Sequence, residues 1–422
     1  MTSSSIRDMA TWAIAAGAAG GLIARPCKLP EALWAVLGAT SLVVLTVLPW
    51  REALGAVSSG TDVYLFLTGM MLLAELARTQ GVFEWLAALA ARQARGSAQR
   101  LFGLIYGVGT IVTVFLSNDA TAVVLTPAVY AAAQAAKAEP MPYLLVCAFI
   151  ANAASFVLPI SNPANLVVFG QHVPRLTSWL AQFFVPSILS IGTTYAVLRI
   201  MLRTALRQPI AAQIDAPDLS PAGRLTACGI GFAVAALLVA SAFGLQLGLP
   251  TLAAGFITSG TVLLYRRQAP WDLLKEISWS VLPLVAGLFV LVEGLVHTRA
   301  IEQLSSGLQT AAEGSTGTTS WAAGTIVAVV SNLMNNLPVA LVARSVVTGP
   351  FVPPHVTGAV VIGVDLGPNL SVTGSLATIL WLVALRREGQ DISAWRFLRL
   401  GIVVMVPALI LALAGLTMVH IK

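Results

Sequence analysis

The chain is poor in charge. Only 10% of its 422 residues are Asp, Glu, Lys or Arg, against roughly 25% in a soluble domain. That leaves too little charge to dress a water-facing surface, so an ordinary soluble fold is excluded. Histidine is also scarce: four scattered copies give no ligand spacing and nothing like the paired histidines of a zinc hydrolase. Three cysteines (Cys27, Cys147, Cys228) form no Cys-x-x-Cys pair and read as small core residues. There is no Gly-x-Ser-x-Gly elbow and no Walker loop, so neither serine hydrolysis nor built-in ATP hydrolysis has its residues. No enzyme activity and no cofactor or metal is expected.

What is abundant is apolar sequence, at 57% of residues. Runs suited to crossing a bilayer lie near 9–24, 31–49, 61–77, 142–170, 176–198, 225–243, 250–265, 278–296, 356–385 and 397–419, each near or above the roughly 17–20 residues required. The first, with Asp8 ahead of it and no cleavage-like site, is expected to remain as a span. The net charge of +6 fits the basic loops of a membrane protein and does not imply nucleic acid. The fold class is an all-α polytopic membrane protein. The stretches 79–100 and 298–319 are amphipathic and are expected at the interface.

Polar breaks interrupt this apolar background. Ser117-Asn-Asp-Ala-Thr121 splits the segment 101–136, and Ser331-Asn-Leu-Met-Asn-Asn-Leu-Pro338 splits 320–347. These two are expected to be re-entrant helical hairpins. Segments 142–170 and 356–385 are interrupted at Pro159-Ile-Ser-Asn-Pro-Ala-Asn165 and Gly367-Pro-Asn-Leu-Ser-Val-Thr-Gly374, and are expected to be broken helices. Irregular backbone at membrane depth is tolerated only where protein or a cavity surrounds it, so breaks point to a binding site. An aspartate at such a depth costs about 2.5–3.5 kcal/mol on insertion scales, which makes Asp119 and Asp365 hard to dismiss.

With ten crossings, 18 of the 24 Lys and Arg fall on the side opposite the termini. The positive-inside rule then makes that side cytoplasmic and both termini periplasmic. The halves also correspond. Gly69 and Glu75 match Gly287 and Glu293 at an offset of 218; Asn118-Asp119 matches Asn335-Asn336 at 217; Ser161-Asn162-Pro163-Ala164 matches Gly374-Ser375-Leu376-Ala377 at 213. The expected organisation is two inverted repeats, 1–203 and 224–422, joined by a cytoplasmic linker over 204–223. Secondary transporters built this way bind their substrate between the repeats.

Asp119 and Asp365 have neutral counterparts, Asn336 and Asn152. A carboxylate withdrawn from water favours its protonated form, which suits a proton carrier. The same oxygens suit sodium, and a carboxylate can also simply cap a half-helix. Around them stand Asn118, Thr121, Ser161, Asn162, Asn165, Asn332, Asn335, Asn336, Thr373, Gly374, Ser375 and Thr378, candidate ligands for a small polar solute. No Lys or Arg falls at a break, so a neutral, hydroxyl-rich substrate fits better than a multiply charged anion. Glu75 and Glu293 are expected to pin the scaffold or to assist coupling.

Val364-Asp-Leu-Gly-Pro-Asn-Leu-Ser-Val-Thr-Gly-Ser-Leu-Ala-Thr-Ile-Leu-Trp381 closely resembles the signature of the ArsB-type arsenite efflux permeases of the ion transporter superfamily. Ser117-Asn-Asp-Ala-Thr-Ala-Val-Val-Leu-Thr-Pro127 and Ser331–Pro338 are similar to that family's other two hallmarks, and the likeness runs nearly the whole chain. The superfamily's dicarboxylate carriers typically carry Ser-Asn-Thr at the hairpin tips, unlike Ser117-Asn-Asp here. The resemblance implies a bacterial inner-membrane protein that exports arsenite, and antimonite, as the neutral trihydroxide in exchange for protons, conferring arsenic resistance. It implies Asp119 and Asp365 as proton carriers, a soluble ArsA-type ATPase as a candidate partner, and, by analogy, a homodimer. The alternatives are a sodium/proton antiporter or small-anion transporter on the same scaffold, and, from another class, a passive channel or receptor.

Overall fold

In a computed structural model, residues 3–24, 29–170, 172–214, 218–347 and 352–419 are described; Arg25, Cys27, Lys28 and Lys422 lie outside them. The first half carries α1 (Ser3–Ala24), α2 (Glu31–Val44), α3 (Trp50–Ser59), α4 (Thr61–Thr79), α5 (Val82–Gln93) and α6 (Ala98–Phe115), then the short α7 (Asn118–Ala120), a π turn (Thr121–Leu125) and α8 (Thr126–Ala135). It closes with α9 (Met141–Ala153), α10 (Pro163–Phe169) and α11 (Leu176–Met201). The second half carries α12 (Pro221–Ala242), α13 (Gly248–Arg266), α14 (Trp271–Glu276), α15 (Val281–Val296), α16 (Arg299–Gly314) and α17 (Thr316–Met334). It continues with α18 (Asn336–Val347), α19 (Pro354–Leu366), α20 (Leu376–Arg387) and α21 (Ala394–Met418).

Each apolar run of the sequence is helical, and no strand forms among the described residues. Five helices (α6, α11, α12, α13, α21) are long and apolar enough to cross a membrane alone; counting the bent pairs α3–α4 (46°) and α15–α16 (78°) as single spans makes seven among the described residues. The remaining runs are divided between shorter helices, so length does not fix the number of crossings.

Local chemistry sets the element ends. Ser97 Oγ accepts the N–H of Arg100 at 3.3 Å to start α6, and Ser315 Oγ accepts that of Thr318 at 3.3 Å to start α17, each satisfying an otherwise unpaired helix donor. Pro159 and Pro163 interrupt α9–α10, while Gly367 and Pro368 end α19, since proline removes a helix donor and restricts the residue before it.

The packing between halves is reciprocal: α4 lies along α13, α2 along α15, and α11 along α21. The first two crossings depend on glycine. A Cβ at Gly69 would strike the backbone of Thr251, and one at Gly287 the backbone of Ala35. Small residues let helices approach closely in lipid, where burial supplies no net drive. The helix over 82–93, expected at the interface, buries Val82, Phe83, Ala87, Ala90 and Ala91 against α6 and α8. Its counterpart α16 buries only Ile301 and Ala312.

Glu75 and Glu293 each join an ion cluster with a neighbouring short helix. Arg78 meets Glu75 on its own helix, with Nε 3.0 Å from the carboxylate, and reaches Glu276 at the end of α14 at 3.4 Å. His297 Nε2 lies 3.4 Å from Glu293 and 3.3 Å from Glu52 on α3.

Candidate transport site

At the first hairpin tip, Ser117 Oγ accepts the N–H of Ala120 at 3.1 Å and starts the one-turn α7. Asn118 is buried, and its Oδ1 accepts the N–H of Asp119 at 2.9 Å. Thr121 is turned inward, with its hydroxyl 2.8 Å from that of Thr113. These side chains are spent on the shape of the tip. The Asp119 carboxyl is spent on nothing: it has no hydrogen-bond partner among the described residues and lines a cavity of about 110 Å³. The cavity is walled by apolar residues of α4 (Phe66, Leu67, Met70, Met71, Ala74), with Val123, Val124, Pro163, Leu376 and Leu380. Its polar lining is Ser117, Asp119, Glu75, Glu276 and Ser278, and no Lys or Arg among the described residues is in it.

The breaks of the two broken helices meet each other. Asn162 accepts the N–H of Ala164 at 3.0 Å through Oδ1, starting α10. This fixes the amide, so its Nδ2 points outward and donates to Asp365 Oδ1 at 2.7 Å. Asp365 is fully buried at the end of α19. Ser161 donates to the carbonyl of Val114 at 2.9 Å and so ties the first break to the hairpin. Asn165 donates to the carbonyls of Ser155 (2.9 Å) and Leu158 (3.4 Å). Among the described residues, the second oxygen of Asp365 and Oδ1 of Asn165 are buried without a donor.

A second network centres on Asn152. It donates to Asn369 Oδ1 at 3.0 Å and Thr378 Oγ1 at 3.2 Å, and accepts from Ser375 at 3.3 Å. Ser375 also caps α20 by accepting the N–H of Thr378 at 3.1 Å. Asn369 completes the loop by donating to the carbonyl of Phe149 at 3.0 Å.

The second hairpin tip is held more tightly than the first. Asn332 donates to the carbonyls of Ala328 (2.7 Å) and Gly367 (3.0 Å), while Ser371 and Thr373 donate back to it at 2.8 and 3.2 Å. Gly374 is required here, because a Cβ would meet Asn332 Oδ1 and Pro368. Asn335 turns the chain at φ 74° and ψ 151°, a strained backbone conformation that residues other than glycine rarely adopt. Asn336 is buried at the start of α18. Asn335 and Thr373 border a cavity of about 20 Å³ that shares Leu376 with the larger one.

The candidate site residues therefore divide. Asp119 stands in the open cavity, with Ser117 and Pro163; Asp365, Asn162 and Asn165 form a closed cluster; Ser375 and Thr378 are bound to Asn152; Asn332 and Thr373 are bound to each other. Three contributors escape the sequence reading. Asn369 sits inside the Gly-Pro-Asn break and is legible there, whereas Glu276 and the α4 wall carry no local signal. Among the described residues, no group of three His, Cys, Asp or Glu side chains is placed to hold a metal.

Comparison with known proteins identifies the family. The family model described as citrate transporter (CitMHS) matches residues 21–364. An arsenical pump membrane protein of Escherichia coli is 31% identical over 356 residues, covering 80% of this chain and 82% of that protein; that of Yersinia enterocolitica is 30% identical with the same coverage. A putative arsenical pump membrane protein of Bacillus subtilis is 26% identical over 410 residues, covering 90% of this chain and 92% of that protein. Among solved structures, the Alcanivorax borkumensis YdaH transporter aligns with a TM-score of 0.56 at 16% identity, covering 87% of this chain and 86% of that one, a likeness of fold. The chain belongs to the CitMHS transporter family and, within it, to the ArsB-type permeases.

Proposed function

We propose that this transporter exports trivalent arsenic as the neutral trihydroxide, and antimony likewise, in exchange for protons entering the cell. The observation that carries the reading is the composition of the larger cavity: carboxylates and hydroxyls, with no Lys or Arg among the described residues that line it. Citrate, with several negative charges, would meet Asp119, Glu75 and Glu276, and like charges brought together in a low-dielectric site repel strongly. A neutral trihydroxide escapes that penalty and pairs with both carboxylates and hydroxyls. The names of the arsenical pump relatives support the same substrate.

Asp119 is the proton carrier open to the cavity, and Asp365 is the second, enclosed one. Of the cavity-lining residues only Glu276 and Ser278 are exposed, which sets the mouth beside them, next to Lys275 and to Arg78, which reaches Glu276. With the positive-inside rule, that mouth faces the cytoplasm of a bacterial inner membrane, as an exporter waiting for substrate requires. The halves 1–203 and 224–422 then insert as inverted repeats, and the same basic face is where an ArsA-type ATPase would dock.

The test is arsenite accumulation in everted membrane vesicles under an imposed pH gradient. Proton-coupled export requires uptake that an uncoupler abolishes, that excess citrate does not compete with, and that proceeds without sodium. Gradient collapse driven by sodium, with no arsenite movement, would assign the scaffold to sodium/proton exchange instead.

A further inference from the structure

A groove away from the transport cavity lies between the start of α6 and the last turns of α11. Its volume is about 560 Å³, and its lining includes Arg100, Arg199, Ser97, Gln93, Gln99 and Tyr195. We propose that this groove binds the phosphate of an anionic lipid headgroup.

Arg199 is already posed for an anion. It donates to Tyr195 Oη at 2.8 Å and to Gln99 Oε1 at 3.3 Å, and its guanidinium lies 5.8 Å from the Tyr195 ring centre. Tyr195 is itself fixed, with ring centres 5.8 Å from Phe102 and 5.0 Å from Tyr106. Glycine at 103 leaves its hydroxyl room, since a Cβ there would come within 3.3 Å of Tyr195 Oη. A guanidinium held in place by neutral partners keeps its remaining N–H groups free for a bidentate contact with phosphate.

Arg100 enters the same groove one turn into the 18-residue α6. Among the described residues, neither arginine pairs with a carboxylate. The first turn of α6 adds the positive end of a helix dipole. Arg92 and Arg95 at the end of α5, and Arg203 and Arg207 after α11, extend the positive field.

Depth favours a lipid over a free anion. Both α6 and α11 are long and apolar enough to cross a membrane, and the groove lies where their basic ends emerge. Headgroup phosphates sit at that level, and basic pockets between spans on the cytoplasmic side are suited to them. The groove would serve this role whichever solute the transporter carries.

The experiment is thermal unfolding of the purified full-length protein in detergent, with phosphatidylglycerol, phosphatidylcholine or inorganic phosphate added at equal concentration. Phosphatidylglycerol should raise Tm, and the other two should not. Arg100→Gln and Arg199→Gln should each lose most of that shift, whereas Arg267→Gln, whose residue lies outside the groove, should keep it. Tyr195→Phe should retain part of it. If Arg199→Gln does not fold, Arg100→Gln decides, because the Arg100 side chain makes no hydrogen bond to the described residues. An equal shift with phosphatidylcholine, an equal shift with inorganic phosphate, or a shift unchanged in Arg100→Gln would each overturn the proposal.

Discussion

Asn162 donates its side-chain amide to Asp365 Oδ1 at 2.7 Å, joining two breaks that are 203 residues apart. The other end of the same amide caps α10, so it cannot turn over without losing both bonds. One residue therefore holds a half-helix in one part of the chain and the enclosed carboxyl in the other.

Asn162→Ala should destabilise the protein by about 1–3 kcal/mol, the range for leaving a buried polar group unpaired. The lost N-cap adds about 1 kcal/mol. Thermal unfolding in detergent measures this, and an unchanged Tm would show that the two breaks are not coupled through this bond.

Asp119 predicts the opposite pattern. Its carboxyl has no partner among the described residues and faces the cavity, so Asp119→Asn, which removes a charge and breaks no hydrogen bond, should not lower stability and should leave the protein in the membrane. Proton-coupled transport should fall to background in the same sample. Loss of fold would give Asp119 a structural role, and retained coupled transport would remove it from the mechanism.

Asn152 holds Asn369, Ser375 and Thr378 together. Asn152→Leu leaves several buried groups without partners and should cost at least about 2 kcal/mol. Thr378→Val, which removes the hydroxyl's contacts with Asn152 and Ser375 and keeps the volume, should cost about 1–2 kcal/mol, less than Asn152→Leu. The ranking of the two in a thermal unfolding series is the check.

The crossing of α4 and α13 should be intolerant of even one methyl group. Gly69→Ala sets a Cβ against the Thr251 backbone, and overpacking of this kind costs about 1–3 kcal/mol. Gly17→Ala, where nothing lies within 4 Å, should be neutral or slightly stabilising, because alanine is the better helix former. Equal Tm values for the two variants would contradict the close packing.

Much of this architecture is written in local sequence. Apolar runs give helices, and the proline- and asparagine-rich stretches Pro159–Asn165 and Gly367–Gly374 mark the breaks, since both features act within a few residues. The difference between Asp119 and Asp365 is not local. Both lie in polar breaks, yet one borders a cavity built by Phe66, Met70 and Glu276 from distant elements, and the other is closed off by Asn162. The α4 wall is as apolar as a lipid-facing helix, so hydropathy cannot tell the two apart. The burial of α5 is hidden in the same way: its apolar face reads as interfacial until α8 is placed against it.

The most direct test of proton exchange uses purified protein in sealed liposomes loaded with arsenite, without sodium and with equal pH on both sides. If arsenite leaves in exchange for protons, the lumen should acidify as arsenite exits, and Asp119→Asn liposomes should not acidify. Arsenite exit with no change in internal pH would contradict proton exchange and leave a passive pathway in its place.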